Sequence, residues 1–393
     1  MDSLQTSNPP HWTNFRFTGD TLEFFKIWIV NVFLTIVTLG IYSPWAKVRT
    51  LGYFYGNTWL HDSSFSFLAD PIKILKGRVI AVIVLAAYWV CTEIYPAYAL
   101  WALSTLCLLF PFIMVTAMSF RLRNTGFRNI RFYFHSNYSG AYQIFILPIG
   151  IVIVLTAVLY FLYTGTEFFK QVVESGNGEI KKQDFLLSFF MMSVLPVAPY
   201  VDYMRRKFIL DHTQYGSAHC RFLATAGSFY KVYIITFIFF MFLSMILGMV
   251  MGLVIIAGIE PGEAQVAPEQ IESFMSSFLI GLIFFYAAGF FVLGYFKAEI
   301  TNITYNNAEI GPLKLNSTLR GRDIGWLYLT NTLAIVFSLG LLIPWSKIRV
   351  ARYIASRTRF QEDSLDRITA MAQSDKSAVG EEIGDMFDFD FGL

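Results

Sequence analysis

The chain has 393 residues, of which 55% are hydrophobic, 18% aromatic and only 15% charged, with a formal net charge of +2. This is not a soluble composition, and it points to a lipid bilayer as the main partner, not to nucleic acid. Cys91, Cys107 and Cys220 show neither metal spacing nor an even disulfide framework and read as apolar filler.

The polar segment 1–14 opens the chain, and the first 23 residues lack a basic start, a short apolar core and a small-residue cleavage site. No removable signal peptide is expected. The piece FRF at 15–17 alternates like a half-buried strand. An apolar segment follows at 24–42, with one charge at Lys26 and an amide at Asn31, and runs into TLGIYSPWAKVRTLGYFYGNT at 38–58. After FSF at 65–67, the 42 residues from Val79 to Phe120 carry one charged side chain, Glu93, beside Tyr95-Pro96. They read as two crossings joined by a tight bend.

The alternation FYF at 132–134 precedes apolar runs at 141–163 and 185–201; RFLA at 221–224 precedes runs at 232–259 and 273–296. Each run is long enough to span a hydrocarbon core of roughly 30 Å, which gives six crossings in all. LKL at 313–315 leads into the uncharged segment 324–343, which holds Asn331 and runs into SLGLLIPWSKIRVARYIASRT at 338–358. Within 232–259, Gly248-x-x-x-Gly252 marks a face for close helix contact.

The segments at 38–58 and 338–358 match at an offset of 300 residues, sharing Leu39, Gly40, Pro44, Trp45, Lys47, Arg49, Tyr53 and Thr58 with their counterparts. Weaker echoes recur at Pro111 with Arg121 and at Pro199 with Arg205. They divide the membrane domain 15–360 into five repeats: 15–60, 65–127, 132–215, 220–305 and 313–360. The lead-out pieces NTWL at 57, NTGF at 124, HTQY at 212, NITY at 302 and RTRF at 357 then pair with the next lead-in as short β hairpins. The terminal pieces would complete a fifth hairpin. The alternative is a set of amphipathic connectors lying in the headgroup layer.

Sixteen basic residues fall in the segments 61–78, 121–140, 202–231 and 297–323, whereas the alternate segments 92–96, 164–184 and 260–272 hold three basic residues and nine acids. The basic set is expected to be cytoplasmic, with both termini on that side. The first and last repeats are expected to enter and leave on one face as helical hairpins broken at 40–44 and 340–344. A full crossing at 324–343 would leave Lys347, Arg349, Arg352, Arg357 and Arg359 outside. Eight simple crossings are the alternative. The fold class is thus an all-α polytopic membrane protein with short cytoplasmic β hairpins.

The expected polar site is intramembrane or interfacial: Asn31, Pro44, Trp45, Lys47, Arg49 and their counterparts Asn331, Pro344, Trp345, Lys347, Arg349. Its cations either hold an anionic solute or lipid phosphate, or snorkel to the surface beside tryptophan anchors. Asp202 is a weaker candidate, either a coupling acid or the partner of Arg205, Arg206 and Lys207. No hydrolase, nucleotide or zinc-protease motif occurs, so no catalytic residue, cofactor or metal is expected, although His212, His219 and Cys220 share one loop. The segment 361–393 has nine acids against Arg367 and Lys376 and reads as an acidic, disordered tail. Its end, DMFDFDFGL at 385–393, could dock on a protein partner. Nothing in the residues fixes an oligomeric state.

The lead-in at 15–19 with TLGIYSPWAKVR and SLGLLIPWSKIR resembles the YjgN-like family of bacterial inner-membrane proteins over about residues 13–360. The resemblance implies an inner-membrane location and a family of unknown function, with no catalytic residues to carry over. Internal repeats with broken helices and bilayer-level cations favour a transporter or channel for a small anionic solute or lipid. The alternative is a membrane-embedded scaffold or assembly factor acting through its cytoplasmic face and acidic tail.

Overall fold

A computed structural model of the chain describes residues 11–164, 182–258, 268–362, 365 and 367–369, apart from the side chains of 182–186, 254–258 and 268–274. Most of the acidic tail and of the acid-rich segments 164–184 and 260–272 therefore lies outside the described residues.

Two short helices come first, α1 (Thr21–Val37) and α2 (Ser43–Gly56). The Asp20 carboxylate caps α1 by accepting from the amides of Leu22 (2.8 Å) and Glu23 (3.1 Å). These bonds hold its pKa below the usual carboxylate value. α1 ends where Leu39 and Gly40 adopt positive φ (50° and 92°). There the Gly40 amide returns to the Thr35 carbonyl (2.7 Å) and the Leu39 amide to Ile36 (3.0 Å), the paired bonds of a Schellman ending. Pro44 starts α2, where its missing N–H leaves nothing unsatisfied. The same break separates α9 (Gly321–Phe337) from α10 (Ile343–Arg357), with Leu339 at φ 51°, Gly340 at φ 91° and Pro344 in the first turn.

Between these pairs run α3 (Pro71–Ile94), α4 (Ala99–Arg123), α5 (Tyr138–Thr164), α6 (Lys182–Asp211), α7 (Ala226–Gly258) and α8 (Pro268–Asn306). Among the described residues these are the six helices long and apolar enough to cross a membrane. Large side chains on them, such as Leu100, Phe161 and Phe284, remain exposed, which lipid accommodates and water does not. The α1 and α2 helices span only about 25 Å and 21 Å at 1.5 Å per residue, short of a ~30 Å core.

Among the described residues eleven short strands form one antiparallel sheet. In chain order they are β1 (Trp12–Asn14), β2 (Arg16–Phe17), β3 (Thr58–Leu60), β4 (Ser63–Phe67), β5 (Thr125–Phe127), β6 (Ile130–Phe134), β7 (Thr213–Tyr215), β8 (Ala218–Phe222), β9 (Ala308–Ile310), β10 (Leu313–Ser317) and β11 (Thr358–Gln361). From β3 to β11 each strand pairs with its sequence neighbours; β2 pairs with β3 and β1 with β11. Only Phe15 separates β1 from β2, and its amide bonds to the Thr358 carbonyl at 3.0 Å. The two ends of the order therefore meet, and the sheet closes into a ring without free edges.

Four two-residue turns make this possible. Each begins with a positive φ, at His61, Arg128, Gly216 and Gly311, the conformation that matches the twist of a tight hairpin. One piece differs from the sequence reading: NITY at 302 is the last turn of α8, and its strand begins six residues later at Ala308. There α8 continues to Asn306, and its end carries the same side-chain bond as the ends of α2 and α4: Asn307 Nδ2 donates to the Ile303 carbonyl (2.8 Å), as Asn57 does to Tyr53 (2.9 Å) and Asn124 to Phe120 (2.8 Å).

The ring encloses an apolar core in which Leu60, Phe127, Ile130, Tyr215, Leu313 and Phe360 are buried together with Leu365 and Ile368 from beyond β11. The close helix contact lies elsewhere than Gly248-x-x-x-Gly252, where an added Cβ would meet nothing within 4 Å. It is at Gly294 of α8, where a Cβ would stand 2.4 Å from the Gly325 nitrogen and 2.5 Å from the Gly321 oxygen of α9.

Candidate functional site

The two anticipated constellations fold in parallel but are satisfied differently. Pro44 and Pro344 are fully buried, as are Asn31 in α1 and Asn331 in α9. The Asn331 Oδ1 accepts from Arg349 (3.1 Å), which also donates to Thr330 Oγ1 (2.6 Å) and lies 5.1 Å over the Trp345 ring. In the first copy Arg49 turns instead to the Tyr42 hydroxyl (3.1 Å), and Trp45 stacks on the Tyr42 ring. Asn31 Nδ2 reaches only the Ala46 carbonyl at 3.5 Å, and its buried Oδ1 has no hydrogen-bond partner among the described residues. Lys347 is exposed. The two copies adjoin through Phe24, Tyr53 and Ile348, not through their cations.

Lys47 belongs to a different group of cations. Val48, its neighbour, packs with Ile74 of α3 and Phe120 of α4. One turn beyond Ile74 is Arg78, and next to Phe120 is Arg121, so three cations from three helices converge. Arg78 donates to the Ser43 hydroxyl at the start of α2. Both Arg78 and Arg121 lie within electrostatic reach of Lys47. Among the described residues neither Lys47 nor Arg121 is in an ion pair, and both side chains are exposed. Asp202, by contrast, is spent on its own helix. It accepts from Arg205 (2.9 Å) and Arg206 (3.1 Å), and Arg206 also donates to Thr304 Oγ1 (3.0 Å).

Arg121 lies within electrostatic reach of Tyr305, which lines a cavity of about 440 Å³ inside the strand ring. Phe65, Phe127, Phe132, Leu313 and Leu315 form its wall, Leu365 and Ile368 its far end, and Tyr55 and Tyr305 lie at the helix side. Tyr305 has Tyr55, Arg121 and Arg206 within electrostatic reach, so the apolar cavity stands on a cationic floor. Inside the ring Tyr215 donates its hydroxyl to the Phe127 carbonyl (2.9 Å), and burial pushes its pKa up to about 12. Cys220, buried on β8, is likewise pushed up to about 12.

At the far rim the carboxylate of Glu362 accepts from Thr13 Oγ1 (2.6 Å), lies 2.7 Å from His11 Nδ1 and 2.9 Å from His61 Nε2. The Thr13 and His11 bonds hold its pKa below the usual value. Arg128 donates to Thr369 Oγ1 (3.1 Å), so the residues after β11 are fastened across that mouth. His212 bonds to the Phe208 carbonyl and His219 to Gln214, and among the described residues no cluster of metal-ligating side chains forms.

Sequence reading missed Arg78 and Arg121 beside Lys47, and Tyr55, Arg121 and Arg206 beside Tyr305. One signal was available. Aligning the Asn57-Thr58 and Asn307-Ala308 junctions puts Tyr55 and Tyr305 at equivalent positions, three residues before the first strand residue.

Six exposed apolar helices joined to a closed strand ring define a multi-pass membrane protein. The chain belongs to the DUF898 family, described as bacterial protein of unknown function, which matches residues 12–386. It is similar to the inner membrane protein YjgN of Salmonella typhimurium strain LT2, 22% identical over 92% of each chain. It is also similar to YjgN of Escherichia coli K12, 30% identical over 39% of this chain and 38% of that one. No solved structure matches the chain.

Proposed function

We propose that this inner-membrane protein is a carrier or channel for an anionic solute or lipid, with Lys47, Arg78 and Arg121 as its anion site. The observation that carries this reading is the convergence of three cations that have no carboxylate partner among the described residues, with one of them, Arg121, within electrostatic reach of Tyr305 in the wall of an apolar cavity. Like charges gathered near a bilayer are unfavourable unless an anion is present part of the time.

In this reading the chain is five repeats, and the first and last dip into the bilayer as broken hairpins without crossing it. Support comes from the tips. Leu39 and Leu339 are almost wholly exposed, an unusual choice for a watery turn but a natural one in lipid. The turn backbone is satisfied internally, as lipid demands: the Tyr42 amide donates to Thr38 Oγ1 (2.9 Å) and the Leu342 amide to Ser338 Oγ (3.0 Å). The pairing of β2 with β3 across α1 and α2 also favours a return to one side. The basic segments favour the cytoplasm as that side, and with it a cytoplasmic position for both termini, where the acidic tail would meet a partner.

The test is the double substitution Lys47→Gln with Arg121→Gln, followed by uptake and efflux of labelled anions from vesicles containing the purified variant. A carrier loses at least tenfold in flux while expression and melting are kept. A scaffold instead loses a co-purifying partner on deletion of 370–393 and keeps its behaviour when the cations are neutralised.

A further inference from the structure

The ring cavity and the cations on its helix side have opposite chemistry, and their contiguity defines a ligand. About 440 Å³ of space lies within the ~300–1,000 Å³ usual for small-molecule sites. Its wall is almost wholly aromatic and aliphatic; the polar groups near it are few and confined to the helix side, at Tyr55, Tyr305, Thr58 and Thr358. Tyr215 does not offer its proton, because the Phe127 carbonyl already takes it. A small hydrophilic anion would gain nothing from such a wall and would have to leave water to enter it.

We infer that the site takes an anionic amphiphile with a single hydrocarbon chain, its chain inside the strand ring and its charged head on Arg121 and Lys47. This assignment rests on the anion-carrier reading and names its substrate class. Two features set the orientation. Arg121 and Lys47 lie on the helix side of the cavity, next to the segments that cross the bilayer. The opposite mouth is crossed by Leu365 and Ile368, which offer only an apolar surface to a chain end. A chain drawn into the ring leaves the bilayer altogether, so the ring would shelter it from water during transfer. A second cavity of about 570 Å³ beside Asp202 competes for such a ligand. It lies between crossings, lined by Pro148, Val152 and Phe296, and its arginines are already paired with Asp202.

The experiment uses the full chain in nonionic detergent and a lysophosphatidate series of increasing chain length, with inorganic phosphate as the chainless control. Affinity is expected to rise about fourfold per added methylene until the ring is full, then to level off. A photoreactive group at the chain end is expected to label peptides carrying Phe127, Phe132 or Phe360. Labels confined to the crossings around Pro148 and Val152, or equal affinity for phosphate and every chain length, overturn the assignment. In that event phosphate binding lost in Lys47→Gln with Arg121→Gln still upholds the anion site. If that variant binds both probes as the natural chain does, the anion site fails and the assignment falls with it. Leu315→Trp, which narrows the ring without touching the cations, is expected to cut the chain-length dependence while sparing phosphate binding.

Discussion

Tyr215 is a residue whose chemistry can be read against pH. Its ring is buried among Phe127 and Phe132, its hydroxyl is bonded to a backbone carbonyl, and its pKa is moved from 10.0 to about 12. The neutral form is thus favoured by the fold. Its contribution is complete below pH 10, where both folded and unfolded chains keep the proton, and is lost as pH rises from 10 toward 12. Tyr215→Phe should lower stability by about 1 kcal/mol at neutral pH, the worth of one hydrogen bond, and flatten the alkaline loss. Melting followed from pH 8 to 12 checks both. At this scale the sequence disclosed the types of functional residue but not their company. Lys47 stands out in a Pro-Trp-x-Lys-x-Arg element, whereas Arg78 and Arg121 look like ordinary boundary charges until three helices bring them beside it.

Elements were more legible, because hydropathy measures the property that makes a helix cross a bilayer. The run at 79–120 folds as α3 and α4 joined at 95–98, and those at 141–163, 185–201, 232–259 (described to 258) and 273–296 follow long apolar helices, lengthened at their polar ends. Helix pairing was less legible, since a glycine pair in sequence says only that close approach is allowed. Gly248 and Gly252 face open space, while Gly294 meets Gly321 and Gly325 backbone to backbone. The substitutions Gly294→Ala and Gly248→Ala therefore have opposite expectations. At Gly294 the methyl would press on backbone atoms that have nowhere to move, at a cost of about 1–3 kcal/mol or more as α8 and α9 separate. At Gly248 it meets nothing and gains up to about 1 kcal/mol of helix propensity. Melting temperatures of the two variants in one detergent decide the matter, and equal shifts would remove the α8–α9 crossing from the account.

For the molecule as a whole, the decisive fact is that its first and last strands among the described residues are neighbours. β1 pairs with β11, Phe15 packs edge-on against Phe360, Arg352 donates to the Gly19 carbonyl (3.2 Å), and α1 packs on α10. The ring cannot close until the chain is almost fully synthesised, and it can close only if residues 12–17 and 358–361 emerge on the same side of the bilayer. Six crossings, an even number, meet that condition when the α1–α2 and α9–α10 pairs each return to the side they left. Were α1 to cross instead, Thr58 would be across the membrane from its partner Phe17, and β2 could not pair with β3. A cysteine replacing Asp62, whose side chain is largely exposed at the β3–β4 turn, should therefore react with an impermeant maleimide from the same side as one replacing His11. A cysteine at Leu39, by contrast, should stay unreactive from both sides while buried in lipid and become reactive once the membrane is dissolved. Opposite-side labelling of the first two positions would break the ring, and with it the cavity from which the ligand class was argued.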